Sequence, residues 1–255
     1  MKAMAFTSRN IKELVRDPIS YIFCLGLPIA MLIIMTLINE SIPDMEEAPK
    51  IFNIEKLTPA ISVFALTFIM LFACIRVSLD RAGAFLTRLY ASPMKGRDYM
   101  IGYTLPFGMI AFVQVIITYI SGEIIALIKG EGFSVGHMLL SIPLYIPSIV
   151  LFIGIGMIFG TIFNAKAAPG VCSAVITAAA ILGGIWMDID TMGGAWKTVC
   201  SCLPFYHSVR YARMTLSGDY SNDMWFSFLI CTAFAAVLFI IAIITFSLKM
   251  KSDKK

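Results

Sequence analysis

The sequence predicts an all-α integral membrane protein that forms a single domain over residues 1–255. Hydrophobic residues make up 59% of the chain and charged residues only 14%, whereas a soluble domain is nearer half apolar and a quarter charged. Apolar runs long enough to cross a bilayer recur along the chain. Lys and Arg gather at the ends of these runs, which is typical of contact with membrane lipid and not with nucleic acid.

Residues 3–17, near the N-terminus, form a segment that is too charged to cross a bilayer. Ile11 and Leu14 belong to an apolar stripe that lies opposite Arg9 and Lys12, which predicts a helix in the plane of the membrane interface. No small-residue cleavage site follows the first apolar run, so we interpret that run as an uncleaved span and not as a signal peptide.

Six apolar runs are predicted to be transmembrane helices. They cover about residues 20–38, 58–78, 100–128, 138–163, 168–187 and 224–247. Pro28 is expected to kink the first span. The fifth span is rich in Ala and Gly, which lets neighbouring backbones approach closely.

A charged amphipathic stretch, residues 79–93, separates the second span from the third. Its charges, Asp80, Arg81 and Arg88 among them, do not fit in hydrocarbon, where each central charge costs about 2.5–3.5 kcal/mol or more. Helical spacing gathers its apolar residues on one face, and Pro93 ends the helix. We predict a short helix that docks on another protein; the alternative is a surface helix that only joins two spans.

The longest stretch between spans, residues 188–223, is not simply polar, because apolar and aromatic residues recur through it. Irregular backbone is tolerated at membrane depth only inside protein, so we expect short helices that rest on or dip into the membrane. The predicted re-entrant residues are Leu203, Pro204, Tyr206 and His207. For His207, a structural role is favoured over metal binding.

The six cysteines show no metal-binding spacing, and no metal site is predicted. Four of them lie in apolar runs, where cysteine usually acts as a small hydrophobic residue. Cys200 and Cys202 lie outside the runs. A disulfide between such near neighbours would be strained, so free thiols and pairing across chains both remain open.

The distribution of Lys and Arg predicts the orientation of the chain in the membrane. Fourteen of these residues fall on the side that holds both termini, residues 76–97 and the short loop near residue 166, and six fall on the other side. Both termini are therefore predicted to be cytoplasmic, in a multi-pass protein of the plasma (cytoplasmic) membrane, and residues 188–223 to be extracytoplasmic.

Four short motifs, in their order along this topology, resemble the type-2 ABC transporter permease family. They are R-D-P at residues 16–18, D-R-A-G at 80–83, L-Y-A-S-P at 89–93 and L-P at 203–204. The resemblance covers almost the whole chain. It implies the membrane subunit of an ATP-driven exporter that works as a dimer with a second copy or a paralogue.

The resemblance also implies a separate ATP-binding subunit that carries ATP and Mg. The sequence itself contains no G-x-x-x-x-G-K-[ST] phosphate loop, and we expect no cofactor on this chain. In the family, the N-terminal helix and the helix after span two contact the ATPase. Carried over, the coupling residues are Arg16, Arg81, Gly83, Phe85, Leu86, Arg88, Leu89 and Pro93.

Four residues are candidates for a substrate pathway. The resemblance implies that Phe64, Phe68 and Met70 could face a central route for a drug-like, lipid-like or small peptide cargo, as in multidrug efflux, although plain helix packing would use the same residues. Glu123 is the one carboxylate well inside an apolar run, and such groups are functional candidates. It lies about one and a half turns from the end of its span, so contact with the interface is the alternative.

Two other classes of function remain as alternatives. An ion- or proton-coupled secondary carrier would use several intramembrane charges and repeated broken helices, but only Glu123 qualifies and no repeat is visible. An intramembrane enzyme would need paired catalytic groups facing each other in the membrane. The sequence has no H-E-x-x-H, and neither of its two histidines lies deep in a predicted span, so no catalytic residue is predicted.

Overall fold

A computed structural model describes residues 2–41, 52–83 and 96–252, and within these ranges the chain forms helices and no strand. The helices are α1 (Lys2–Val15), α2 (Pro18–Ser41), α3 (Ile54–Ala82), α4 (Gly96–Ile128), α5 (Val135–Leu144), α6 (Ile146–Ile162), α7 (Ala168–Leu182), α8 (Ile189–Met192), α9 (Gly194–Ser201), α10 (Pro204–Leu216) and α11 (Asn222–Ser252).

Five helical segments of the described chain are long and apolar enough to cross a membrane. They are Pro18–Ser41, Ile54–Ala82, Asp98–Ile128, Val135–Ile162 and Asn222–Lys249. The fourth consists of α5 and α6, which meet at Tyr145. The fifth predicted span, residues 168–187, corresponds to α7, which has 15 residues and is shorter than the ~20 residues that a bilayer core requires.

The first span contains an irregular turn close to Pro28. Asp17 caps the helix start by accepting hydrogen bonds from the N–H groups of Ile19 and Ser20, as carboxylates at helix starts commonly do. A π-helical turn then covers Ile22–Gly26. Because Pro28 has no N–H to bond the carbonyl four residues earlier, the regular ladder is interrupted at this position.

The central helix of the bundle is α3, which is buried along most of its length and packs against α2, α4, α6, α7 and α10. By contrast, α2 and α11 are exposed along most of their length, as lipid-facing helices should be. Helix α1 packs beside the start of α4. We call this side of the bundle the α1 end and the opposite side the α10 end.

Two glycines of α6 allow α6 to approach α3 closely. A Cβ atom on Gly156 would lie 2.5 Å from the carbonyl oxygen of Met70, and one on Gly160 would lie 2.7 Å from that of Cys74. Both distances are shorter than real contacts of a Cβ atom. This is the small-residue packing typical of membrane helices, and it holds the last two turns of α6 against α3.

The end of α3 differs from the prediction. Residues 79–82 were expected to begin a separate amphipathic helix, but they form the last turn of α3, which ends at Gly83 with an extended backbone (φ −82°, ψ 158°). Hydropathy alone does not locate this boundary, because the helix continues past its apolar run while its charged residues find partners in protein. The rest of the predicted helix lies outside the described residues.

Candidate functional site

A buried carboxylate, Asp80, lies at the centre of a polar cluster at the α1 end. Its side chain is 7% exposed. It accepts hydrogen bonds from the Tyr103 hydroxyl at 2.8 Å and from Arg9 Nη1 at 3.1 Å, and Arg76 Nη2 lies 3.3 Å from its Oδ1 atom. A buried carboxylate is tolerated when charges and donors surround it in this way. The cluster therefore joins α1, α3 and α4.

A second carboxylate, Glu13, balances the charge of the cluster. Arg9 Nη2 donates to Glu13 Oε1 at 2.8 Å, and Arg76 pairs with Glu13 Oε2. Two carboxylates thus face two guanidinium groups, one of each from α1 and one of each from α3. Because each arginine contacts carboxylates of both helices, the cluster holds α1 and α3 together as well as supporting each helix singly.

Apolar and backbone contacts fix α1 on α4 beside this cluster. The Phe6 ring meets Tyr99 and Tyr103 edge-on, with centroids 5.8 and 5.0 Å apart. Asn10 donates to the carbonyl of Gly102 at 2.8 Å. A Cβ atom on Gly102 would lie 2.1 Å from Phe6 Cδ1, so a larger residue there would displace the ring. Helix α1 is therefore held by protein and does not rest on lipid alone.

Arg81, the residue after Asp80, joins α3 to the end of α6. Its Nη1 atom donates to the carbonyls of Gly160, at 3.2 Å, and Thr161. Carbonyls in the last turn of a helix lack intrahelical partners and carry partial negative charge, so a guanidinium there caps the helix. Asp80 and Arg81 together connect the last turn of α3 to α1, α4 and α6.

The structure brings one predicted coupling residue, Arg81, into contact with a second span. Arg16 is exposed just after α1, and Gly83 caps the end of α3. Five predicted coupling residues lie outside the described part of the chain: Phe85, Leu86, Arg88, Leu89 and Pro93. Their role in docking stays a prediction.

The residues that hold the cluster were not predicted as site residues. The sequence carries a usable signal for the pairs within each helix, because Arg9 and Glu13, like Arg76 and Asp80, are four residues apart and thus share a helix face. It carries none for Tyr103, whose hydroxyl reaches Asp80 only through the packing of α4 on α3.

Two predicted pathway residues, Phe64 and Phe68, belong to an aromatic group between α2, α3 and the segment after α7. The Phe64 ring lies 5.5 Å from that of Phe68 and 5.6 Å from that of Trp186, and the rings of Phe23 and Phe68 are 5.9 Å apart. Such edge-on and tilted pairs stabilise helix packing. These contacts are compatible both with a role of the two residues in a substrate pathway and with plain helix packing, so the pathway role stays a prediction.

The other two pathway candidates make contacts within the bundle. Met70 is fully buried and faces α6 through its carbonyl. Glu123 accepts a hydrogen bond from the backbone N–H of Phe133 at 2.8 Å, which joins α4 to the turn before α5. This contact agrees with the alternative that Glu123 reaches the end of its span.

At the α10 end, Asp190 pairs with Lys197 Nζ at 2.8 Å and accepts a hydrogen bond from the Tyr206 hydroxyl at 2.7 Å. Burial opposes ionisation of Asp190, but these two partners and the nearby charge of Arg210 outweigh it, so the pKa of Asp190 is below its usual value. Burial, together with Asp190, raises the pKa of Tyr206. The group joins α8, α9 and α10.

The predicted re-entrant residues lie at the start of α10. Leu203 is the residue before the helix, Pro204 is its first residue, and Tyr206 and His207 are buried. His207 Nε2 lies 2.9 Å from the carbonyl of Ser201, to which it donates. Burial lowers the pKa of His207 and so favours the neutral ring; its structural role stays a prediction.

Arg213 connects α10 to the first turn of α3 and to the segment that follows α7. It donates to the carbonyl of Lys56 at 3.1 Å and to that of Ile185 at 3.3 Å. Burial lowers the pKa of Arg213 to about 10, so the guanidinium stays charged at neutral pH. It lines a cavity of about 310 Å³ that contains side chains of both charges, including Glu55 and Asp188.

The thiols carry no cross-link within the chain. Cys200 is buried and Cys202 is exposed, and both are free, as are the other four cysteines. Among the residues that the structure describes, no group of three or more His, Cys, Asp or Glu side chains is placed to hold a metal ion.

A comparison with models of known protein families identifies the family of this chain. The family model described as ABC-2 type transporter matches residues 1–217, which include α1 to α10 and the polar cluster. No curated protein matches the chain. The multiple apolar helices agree with a multi-pass membrane protein. The chain therefore belongs to the ABC-2 type transporter family, as a membrane-spanning permease component.

Proposed function

We propose that this chain is the permease subunit of an ATP-driven exporter in the cytoplasmic membrane, with the α1 end and both termini in the cytosol. The excess of Lys and Arg at the α1 end supports this orientation. Family membership supports the transport role. The short helices α8 to α10 then belong to the extracytoplasmic side, and α7 completes a set of six spans.

The observation that carries the proposal is the position of Asp80 and Arg81. They lie at the start of residues 79–93, the segment predicted to dock on an ATPase, and they contact α1, α4 and α6. A displacement of that segment would therefore act on four helices at once. Small shifts at such a point are amplified by rigid-body motion of packed helices.

The partners in this proposal are a separate ATP-binding subunit, which holds ATP and Mg, and a second permease copy or a paralogue. ATP hydrolysis takes place on the partner. The cargo is drug-like, lipid-like or a small peptide. The aromatic group around Phe64 and Phe68 supports an apolar or amphiphilic cargo, because aromatic rings offer a large apolar contact area.

The alternative, an ion- or proton-coupled carrier, has less support from the described residues. Its main candidate, Glu123, is engaged by the N–H of Phe133 near the end of its span. The buried Asp80 is engaged by two arginines and a tyrosine. A proton-transfer group must be able to exchange its proton, and both carboxylates are instead held by donors.

Co-purification from native membranes tests the proposal. We expect a soluble ATP-binding protein to accompany the unaltered chain and to be identified by mass spectrometry. Leu86→Asp or Leu89→Asp should abolish the association, because a charge would enter an apolar docking contact. Ile128→Asp is the matched control: Ile128 is 80% exposed at the α10 end, and its substitution should leave the association unchanged.

Two results would refute the exporter. One is retention of the ATP-binding protein by the Leu89→Asp chain at the level of the control. The other is transport by the purified chain alone, in vesicles with a proton gradient and no ATP, which would establish the carrier instead.

A further inference from the structure

His207 is a buried titratable group that joins α9 to α10. The residue is 3% exposed, and its Nε2 atom donates to the carbonyl of Ser201, the last residue of α9, at 2.9 Å. Carbonyls in the last turn of a helix lack intrahelical partners, so the imidazole caps α9. This bond requires the proton on Nε2, which leaves Nδ1 as the acceptor nitrogen of the neutral ring.

The Nδ1 atom of His207 is buried and has no hydrogen-bond partner in the part of the chain that the structure describes. Tyr206 and Phe226 meet the ring edge-on, with centroids 5.2 and 6.5 Å away. The neutral ring leaves only a lone pair without a donor. Protonation would instead place an N–H group and a positive charge where the described residues offer no acceptor, and this is costly in a buried site.

The charged groups around His207 have partners of their own. Arg210, one turn further along α10, is itself positive and pairs with Asp223 of α11 at 2.9 Å. Asp190 of α8 pairs with Lys197 of α9 at 2.8 Å. Neither carboxylate is therefore available to balance a positive charge on the imidazole.

The packed form therefore favours the neutral ring. Burial is the main cause and lowers the pKa of His207; the hydrogen bond to Ser201 opposes this shift, and the charge of Arg210 adds to it. The pKa thus lies below the ordinary histidine value of about 6.5. A group of this kind stabilises the packed form above about pH 6.5, and this stabilisation is lost as the pH falls from there through the pKa of the packed form.

The helices that enclose this contact have a small core of their own. Ile189 of α8, Cys200 of α9 and Tyr206 of α10 form a buried cluster that is separate from the main core of the bundle. Segments with few buried apolar contacts open locally at a lower free energy than the whole protein. Loss of the contact between His207 and Ser201 should therefore separate α9 from α10 while the bundle stays folded.

We propose that His207 makes the packing of α9 on α10 sensitive to acid. The neutral ring holds the end of α9, and protonation of Nδ1 drives the ring out of its buried site and exposes the last turn of α9, including Cys200. This response is a property of the chain itself and does not depend on the exporter proposal. In the orientation proposed above, the helices respond to the pH outside the cell.

The two thiols near the end of α9 can measure this opening. Cys200 is buried and Cys202 is exposed, and both lie in the tryptic peptide of residues 198–210. The purified full chain in detergent is treated with N-ethylmaleimide at pH 7.5 and at pH 5.5, so briefly that few peptides carry two labels. Fragment spectra give the ratio of label at Cys200 to label at Cys202. Because Cys200 reacts from the opened form, this ratio cancels the effect of pH on the maleimide chemistry.

We expect the ratio to rise several-fold from pH 7.5 to pH 5.5. The ceiling is about ten-fold, which applies when the opened form has an ordinary histidine pKa of about 6.5 and the packed form takes up no proton. His207→Gln should make the ratio independent of pH, because the amide can still donate to Ser201 but does not titrate. His137→Gln is the matched control: it removes the other histidine of the chain, and the acid response should remain.

Three results would overturn the proposal. They are a constant ratio in the unaltered chain, an acid response that survives His207→Gln, and an equal increase of label at Cys74, which is buried in α3 and reports unfolding of the bundle. The first result comes from the unaltered chain, so the test does not depend on the folding of a variant. Because neither transport nor ATPase binding is measured, none of these results bears on the exporter.

Discussion

Asp80 receives donors from three helices, so its removal affects more than one contact. Arg9 and Arg76 would keep a single carboxylate, Glu13, whose side chain is 37% exposed. The Tyr103 hydroxyl would lose its acceptor. Breaking a buried ion pair by deleting one partner is costly because the remaining charges stay desolvated.

We therefore predict that Asp80→Ala lowers the free energy of unfolding by about 3–5 kcal/mol. Asp80→Asn should cost less, because the amide oxygen still accepts a hydrogen bond from Tyr103. The measurement is the temperature at which the detergent-solubilised protein loses its monodisperse peak. Glu13→Gln is the control for a more exposed carboxylate of the same cluster, and the prediction fails if it destabilises as strongly as Asp80→Ala.

At the level of single residues, the sequence was informative where charges repeat at helical spacing. The pairs Arg9–Glu13 and Arg76–Asp80 could be read from the sequence, whereas the contacts of Asp80 with Tyr103 and of Arg81 with Gly160 could not. Those contacts join residues 23 and 79 positions apart. They depend on which helices pack together in the bundle, and the sequence of an apolar run does not specify which helix will pack beside it.

Among the helices, the pair α3 and α6 shows how close packing depends on glycine. Gly156 faces the backbone of α3, whereas Gly154, half a turn away, has ordinary contacts at 3.6–3.7 Å with α11. Adding a methyl group at these two positions therefore has different consequences. A methyl group at position 156 would force α3 and α6 apart, whereas position 154 has room for a methyl group.

We predict that Gly156→Ala destabilises the protein by about 1–3 kcal/mol through overpacking. Gly154→Ala should be neutral or slightly stabilising, because alanine is the better helix former. Thermal unfolding in the same detergent compares the two. Equal loss of stability in both variants would show that the α3–α6 approach is not limited by Gly156.

Five of the six predicted spans overlap helices that are long and apolar enough to cross a membrane, although the helix ends differ from those predicted. Hydropathy locates an apolar run but not the residue at which the helix stops. The fifth run was predicted to extend to residue 187, yet α7 ends at Leu182, and Gly184 adopts a left-handed backbone with φ +70° that favours glycine and ends helices. Likewise, α3 passes its predicted end by four residues because its last turn has protein partners.

For the molecule as a whole, the exposed thiol offers a test of orientation. Cys202, between α9 and α10, is exposed, and the other five cysteines are buried. In the proposed orientation it faces the outside of the cell. A membrane-impermeant reagent should therefore reach one thiol of the intact chain.

We predict that an impermeant maleimide labels the chain in intact cells and that Cys202→Ser abolishes the labelling. Mass spectrometry of the labelled peptide identifies the site. Labelling that requires permeabilised cells would place the α10 end in the cytosol and would reverse the proposed topology.

The family motifs and the uneven distribution of Lys and Arg could be recognised in the sequence, because both depend on the order of residues along the chain. The association of α1 with the bundle could not be recognised in this way. An amphipathic stripe such as that of Ile11 and Leu14 suits lipid and protein equally. Contacts such as those of Phe6 with Tyr99 and Tyr103, and of Asn10 with the Gly102 carbonyl, distinguish the two.

Asp80 and Arg81 are adjacent in sequence, so their side chains leave α3 about 100° apart. One is held by α1 and α4, and the other by the final carbonyls of α6. Rotation of α3 about its own axis would break one set of bonds or the other, whereas tilting all four helices together preserves both. These contacts therefore oppose rotation of α3 about its own axis but not a tilt of its end together with α1, α4 and α6.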